Sequence, residues 1–102
     1  MIYKVHSNPD GITQGAEIAP FFMYKVYVIK SINFDWIYVG MTTDIERRLH
    51  DHNVGYNKST KAKAPYSLLF VEEYPDSSSA RNREKYLKTT VGKRFIRKNF
   101  VK

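Results

Sequence analysis

With 102 residues the chain has room for one domain, and 17 Lys+Arg against 10 Asp+Glu give it a net charge of +7. That balance points to a polyanionic partner, nucleic acid above all, with a solubilising basic surface as the bland alternative. The absence of cysteine excludes disulfides and thiolate metal sites and fits a cytoplasmic protein, and no apolar run reaches the ~18 residues of a membrane span.

Residues 1–22 carry Pro9-Asp10-Gly11, Gly15 and Pro20 and show no sustained period. They read as an N-terminal extension with turns, partly disordered, ahead of a domain over residues 23–102. The start lacks the basic stretch and apolar core of a secretion signal, and Met23, just before the first convincing strand, is a candidate natural start. Residues 1–23 hold only Lys4 against Asp10 and Glu17, so the basic excess lies in the domain.

Tyr24–Lys30 is rich in β-branched and aromatic residues, as a strand should be. Asn33 and Asp35 mark Ser31–Asp35 as a hairpin connection, and Trp36–Gly40 returns as a second strand. Alternation sets Tyr27 with Ile29 and Trp36 with Tyr38; an even number of unpaired residues between the strands puts both tyrosines on one side. Thr43 and Glu46 fit a capping box ahead of a helix from about Asp44 to about Asn53, which Val54-Gly55 ends. On that helix Leu49 lies about +40°, His52 about −20° and Arg48 about −60° from Ile45, on or beside the buried stripe. A cation placed there is costly without a partner or an anionic ligand.

The loop Gly55–Pro65 carries Lys58, Lys61 and Lys63, and Ser67–Tyr74 reads as a third, well-covered strand. Asp76–Ser79 offers several N-caps for a helix over Ala80–Lys88, and Thr89-Thr90 and Gly92 separate it from a basic helix over Lys93–Phe100 anchored by Phe95 and Ile96. The fold class expected is α+β: a small, mostly antiparallel three-stranded sheet flanked by about three helices.

From Ser77 to Lys102 there are nine basic residues and one acid, Glu84, set beside the apolar stripe of its helix. An ion pair with Lys88 or Arg81, worth ~0.3 kcal/mol, accounts for it blandly; a lone carboxylate in a basic field also suits a divalent cation next to phosphate. Taken singly, His52 reads as a helix C-cap, Arg48 as a salt-bridge partner, and Tyr27 and Tyr38 as sheet packing. No glycine-rich phosphate loop or Asp-pair cluster supports a kinase or NTPase.

Taken together, Lys25-Val26-Tyr27, Tyr38-Val39-Gly40, the Thr42/Asp44/Arg48 spacing, His52 and a helical Glu84 resemble the GIY-YIG nuclease superfamily. The likeness runs from about Tyr24 to Lys98. It is nearest to the bacterial single-domain branch related to the nuclease domain of the excision-repair incision subunit, whose ends commonly read like Arg81–Lys98. Lys25 replaces the first signature glycine, and the asparagine some relatives carry near the C-terminus has no secure counterpart, Asn99 or Thr89-Thr90 being the options.

The resemblance implies a GIY-YIG fold and a metal-dependent endonuclease cutting DNA, in repair or processing, with structure-guided or weak sequence specificity. It implies one divalent metal, Mg2+ or Mn2+, on Glu84, and Arg48 neutralising phosphate charge. Tyr27 or Tyr38 would orient or deprotonate water, helped by Arg48, His52 or Lys30, with His52 the alternative base. Lys30, Gly40, Lys58, Lys61, Lys63 and Lys88 would lie along DNA, RNA being left open, and a protein partner could supply specificity to a monomeric domain. The alternatives are a catalytically silent or partner-dependent nucleic-acid binding module of the same fold, and a protein-interaction domain whose charge is incidental.

Overall fold

YKVYVIKS, rich in β-branched and aromatic residues, and the largely apolar YSLLFVEEY become the central strands of one sheet. The structure, a computed structural model, describes residues 3–6 and 23–101. Its elements are β1 (Tyr3–His6), β2 (Tyr24–Ser31), β3 (Ile37–Thr42), α1 (Ile45–Val54), a 3-10 turn (Lys61–Lys63), β4 (Tyr66–Tyr74), α2 (Ser77–Leu87) and α3 (Thr90–Phe100). The strand order is β1-β4-β2-β3, with β2 antiparallel to both β3 and β4. This is the expected small antiparallel sheet with three helices. β1, at one edge and parallel to β4, adds a fourth strand from the segment read as an extension; residues 7–22 lie outside the described residues. Among the described residues no helix is long and apolar enough to cross a membrane.

The sheet pleat divides the interior in two. Val26, Val28, Val39 and Phe70 point to one side and pack with Ala80 and Leu87 of α2 and Ile96 of α3. Tyr27, Ile29, Tyr38 and Val71 point to the other, where Ile45 and Leu49 of α1 cover them. Ser31 N–H donates to the Trp36 carbonyl at 2.9 Å, leaving Ile32 to Asp35, an even number, in the hairpin tip. Trp36 therefore closes the turn and is exposed, and the return strand starts at Ile37.

Three boundaries differ from expectation for identifiable reasons. Asp44, not Thr43, caps α1, accepting Arg47 N–H at 3.1 Å; aspartate is at least as good an N-cap as threonine. Asp76 caps α2 by accepting Ser79 N–H at 2.7 Å, which starts the helix at Ser77 rather than Ala80. Thr89 caps α3 by accepting Gly92 N–H at 3.0 Å, so Gly92 belongs to the helix instead of interrupting it. A Cβ on Gly92 would overlap the Tyr86 carbonyl oxygen and come within 2.6 Å of Leu87 Cα. Glycine is required there because α3 crosses the end of α2 at backbone contact.

Backbone atoms cannot step aside as a side chain can, so Gly92→Ala should destabilise the domain by about 3 kcal/mol. Urea denaturation should show a lower midpoint with the slope unchanged.

Candidate active site

The site is built from the α1 side of the sheet. Tyr27 in β2 stands directly opposite Gly40 in β3. A Cβ on Gly40 would overlap the Tyr27 hydroxyl and lie 2.6 Å from its Cζ, so the tyrosine ring occupies the space where a side chain would be. Gly40, which the resemblance puts along DNA, is buried, and the space beside it is taken by Tyr27. Tyr38 pairs with Ile29, hence lies diagonal to Tyr27, with ring centroids 6.3 Å apart. Both tyrosines share one face, as the even hairpin count requires.

From α1 come Arg48 and His52. His52 is fully buried, and its ring lies 4.9 Å from that of Tyr38. Its Nε2 is 2.8 Å from the Tyr27 hydroxyl and its Nδ1 is 2.7 Å from Thr60 Oγ1. Thr60 gives its one hydroxyl proton to the Asn57 carbonyl, so His52 Nδ1–H donates to Thr60 and Nε2 is left to accept from Tyr27. The helix end is closed by Gly55, whose left-handed backbone (φ 85°) directs its N–H to the Asp51 carbonyl, so His52 is not needed as a cap. Tyr66 completes the pocket: its hydroxyl donates to the Thr60 carbonyl at 2.8 Å and its ring lies 6.0 Å from that of His52. Thr60 and Tyr66 carry no signal in the sequence, since a threonine in a lysine-rich loop becomes a histidine partner only when the loop folds back over α1.

Burial pushes the Tyr27 hydroxyl up to about 12; Arg48 beside it works the other way, while Tyr38 and the Glu84 carboxylate add to the rise. Burial, and then the Arg48 charge, hold His52 below the ordinary histidine range, so its neutral form prevails at neutral pH. Arg48 Nε is buried without a hydrogen-bond partner. Glu84 on α2 has a side chain only 15% exposed and pairs with Lys88 Nζ at 3.1 Å. Glu84 thus makes the helical ion pair, and its charge is felt at the Tyr27 hydroxyl. The described residues hold no group of three or more His, Cys, Asp or Glu placed to share a metal. Glu84 is the carboxylate whose charge reaches the Tyr27 hydroxyl, and a single carboxylate fits a hard divalent ion that keeps most of its water and takes phosphate oxygens.

The lysines are dispersed. Lys30 Nζ donates to the Ser31 and Phe34 carbonyls at 3.1 and 3.3 Å, which commits it to the hairpin rather than to Tyr27. Lys63 Nζ lies 4.8 Å from the Phe34 ring centroid and 5.5 Å from that of Trp36, Lys58 and Lys61 are exposed on their loop, and Lys88 holds Glu84. Asn99 donates to the Phe95 carbonyl within its own helix, and Thr89 is spent on capping.

Because the folded-state pKa of His52 is depressed, the unfolded chain binds the extra proton between that value and about 6.5. Stability contributed by neutral His52 is therefore intact above about pH 6.5 and is lost as pH falls below it. Wild type should lose more stability than His52→Gln between about pH 7 and about pH 5, measured by denaturant midpoints at each pH.

Comparison with known proteins agrees with this arrangement. The family profile of the GIY-YIG catalytic domain matches residues 23–99. A UPF0213 protein of Halobacterium salinarum is 37% identical over 67 residues, covering 65% of this chain and 86% of its own. A UPF0213 protein of Staphylococcus haemolyticus is 37% identical over 67 residues, 65% of this chain and 80% of that one. The UPF0213 protein YazA of Bacillus subtilis is 35% identical over 69 residues, 67% of this chain and 69% of its own. Residues 23–99 contain every group of the pocket described above, and this chain belongs to the GIY-YIG family of nuclease catalytic domains.

Proposed function

We propose that this domain is a metal-dependent endonuclease that hydrolyses phosphodiester bonds in DNA, with structure-guided or weakly sequence-specific cutting suited to repair or processing. The observation that carries the reading is the Arg48 Nε, buried and unpartnered beside Tyr27 and His52. A buried donor on a cation without a partner is costly, and a non-bridging phosphate oxygen supplies what it lacks.

The chemistry follows from the hydrogen bonds. A water positioned at Tyr27 gives a proton to the phenol oxygen as Tyr27 passes its own proton to His52 Nε2, 2.8 Å away. With its hydroxyl held near 12, Tyr27 is not a free phenolate at neutral pH, so it works as a relay and His52 as the proton acceptor. Thr60 holds the ring in the tautomer that leaves Nε2 open. The water oxygen bonds to phosphorus, the bond to the 3′ oxygen breaks, and Arg48 neutralises charge on the non-bridging oxygens. A divalent ion, Mg2+ or Mn2+, held by Glu84 would supply Lewis-acid polarisation of the phosphate and stabilise the leaving 3′ oxygen. Lys88 pairs with one oxygen of that carboxylate, and with Lys58 and Lys61 it would meet the DNA backbone.

Labelled single-strand, duplex, flap and junction DNA with Mg2+, Mn2+ or chelator tests the proposal. Arg48→Ala and Glu84→Gln should each slow cleavage by about 100-fold or more. The rate should be level above neutral pH and fall in acid as His52 takes up a proton. Binding without metal-dependent cutting on any substrate would leave the binding module of the same fold in its place.

A further inference from the structure

The hairpin tip between β2 and β3 presents three large apolar side chains to solvent: Ile32, Phe34 and Trp36 are 61%, 47% and 42% exposed. The tip is held in shape. Buried Ser31 gives its hydroxyl proton to the Lys63 carbonyl at 2.6 Å and accepts Phe34 N–H at 3.1 Å, and Ile32 N–H donates to the Pro65 carbonyl at 2.9 Å. Exposed aromatic rings grouped at a turn otherwise cost solubility.

The surroundings of the tip are cationic. Lys63 Nζ lies over both rings, and among the described residues no carboxylate pairs with it. The one acid at the tip, Asp35, is taken up by Arg97 of α3 at 2.6 Å. Trp36 precedes Tyr38 by two residues, so the pleat carries it toward the same side of the sheet, about 7 Å along the strand. Tyr38 in turn touches the Tyr27–His52 pair. Aromatic side chains thus lie both at the tip and, two residues further along the chain, against the candidate catalytic groups, with Lys63 beside the first set.

We propose that Phe34 and Trp36, with Lys63, form a stacking platform for unpaired nucleobases that leads a single strand of DNA into the site. Flat rings beside an ammonium suit a base face and its phosphate together, as in single-strand binding grooves. A duplex keeps its base faces stacked on one another and cannot use the platform. The inference rests on the nuclease reading for its consequence, a preference for single-stranded or flap substrates, but the binding itself needs neither metal nor turnover.

Trp36 is the only tryptophan in the chain, so its fluorescence reports the platform directly. With chelator present, a labelled oligodeoxythymidylate should quench Trp36 saturably, in step with its own anisotropy, and bind at least about tenfold more tightly than a blunt duplex of equal length. Phe34→Ala, at an exposed position, should weaken single-strand binding about tenfold and leave duplex binding unchanged. The platform is overturned if anisotropy saturates without a change in Trp36 fluorescence, if duplex binds as tightly as single strand, if Phe34→Ala binds single strand like wild type, or if the single strand does not bind. Because no cleavage is measured, a domain that never cuts can still pass this test. One that cuts without quenching loses only the platform.

Discussion

The Tyr27 side chain has to lie across β3 before its hydroxyl can reach α1, and it can do so because Gly40 leaves the space empty. Once there, the phenol and the imidazole are out of water. Each needs the other: a buried polar group left without a partner costs about 1–3 kcal/mol, and His52 has a second nitrogen to satisfy, which Thr60 does. The chain Tyr27–His52–Thr60 therefore ties the sheet, the helix and the lysine loop into one unit. The groups proposed to move a proton are the groups that hold this face of the domain together.

Arg48 shares that pocket and is the part that folding alone does not explain. A guanidinium with a buried, unpartnered Nε next to a neutral imidazole is an arrangement a purely structural core would avoid. The contrast lies on the opposite face of the sheet, where Arg83 is also partly buried. There Glu72 receives Arg83 Nε at 2.8 Å and Nη2 at 3.0 Å, and the Tyr74 hydroxyl donates to the same carboxylate. The Nε of one arginine is met by a carboxylate of the protein, and the Nε of the other is not.

Glu84 connects the two faces. It grows from α2, whose buried residues Ala80 and Leu87 belong to the structural layer, yet its charge acts on Tyr27 in the other. The close crossing of α2 by α3 at Gly92 holds the helix bearing Glu84, so packing on one side of the sheet sets the position of a carboxylate whose charge is felt on the other.

Periodicity made the main outline legible from the amino acids alone. β-Branched and aromatic residues marked β2 and a mostly apolar run marked β4, and the helical period placed Arg48 and His52 by the buried stripe and Glu84 beside Ala80 and Leu87. These are local properties: the spacing of residues along one element states which side it turns inward. What that side meets depends on contacts between segments distant in the chain, which spacing does not encode. The pairing of β1 with β4, the filling of the Gly40 gap by Tyr27, the close crossing at Gly92 and the partnership of His52 with Thr60 all arise that way. So does the assignment of Tyr27, rather than Tyr38, as the hydroxyl bonded to His52: both tyrosines face the same side, and only the cross-strand register, with glycine opposite one and isoleucine opposite the other, separates them.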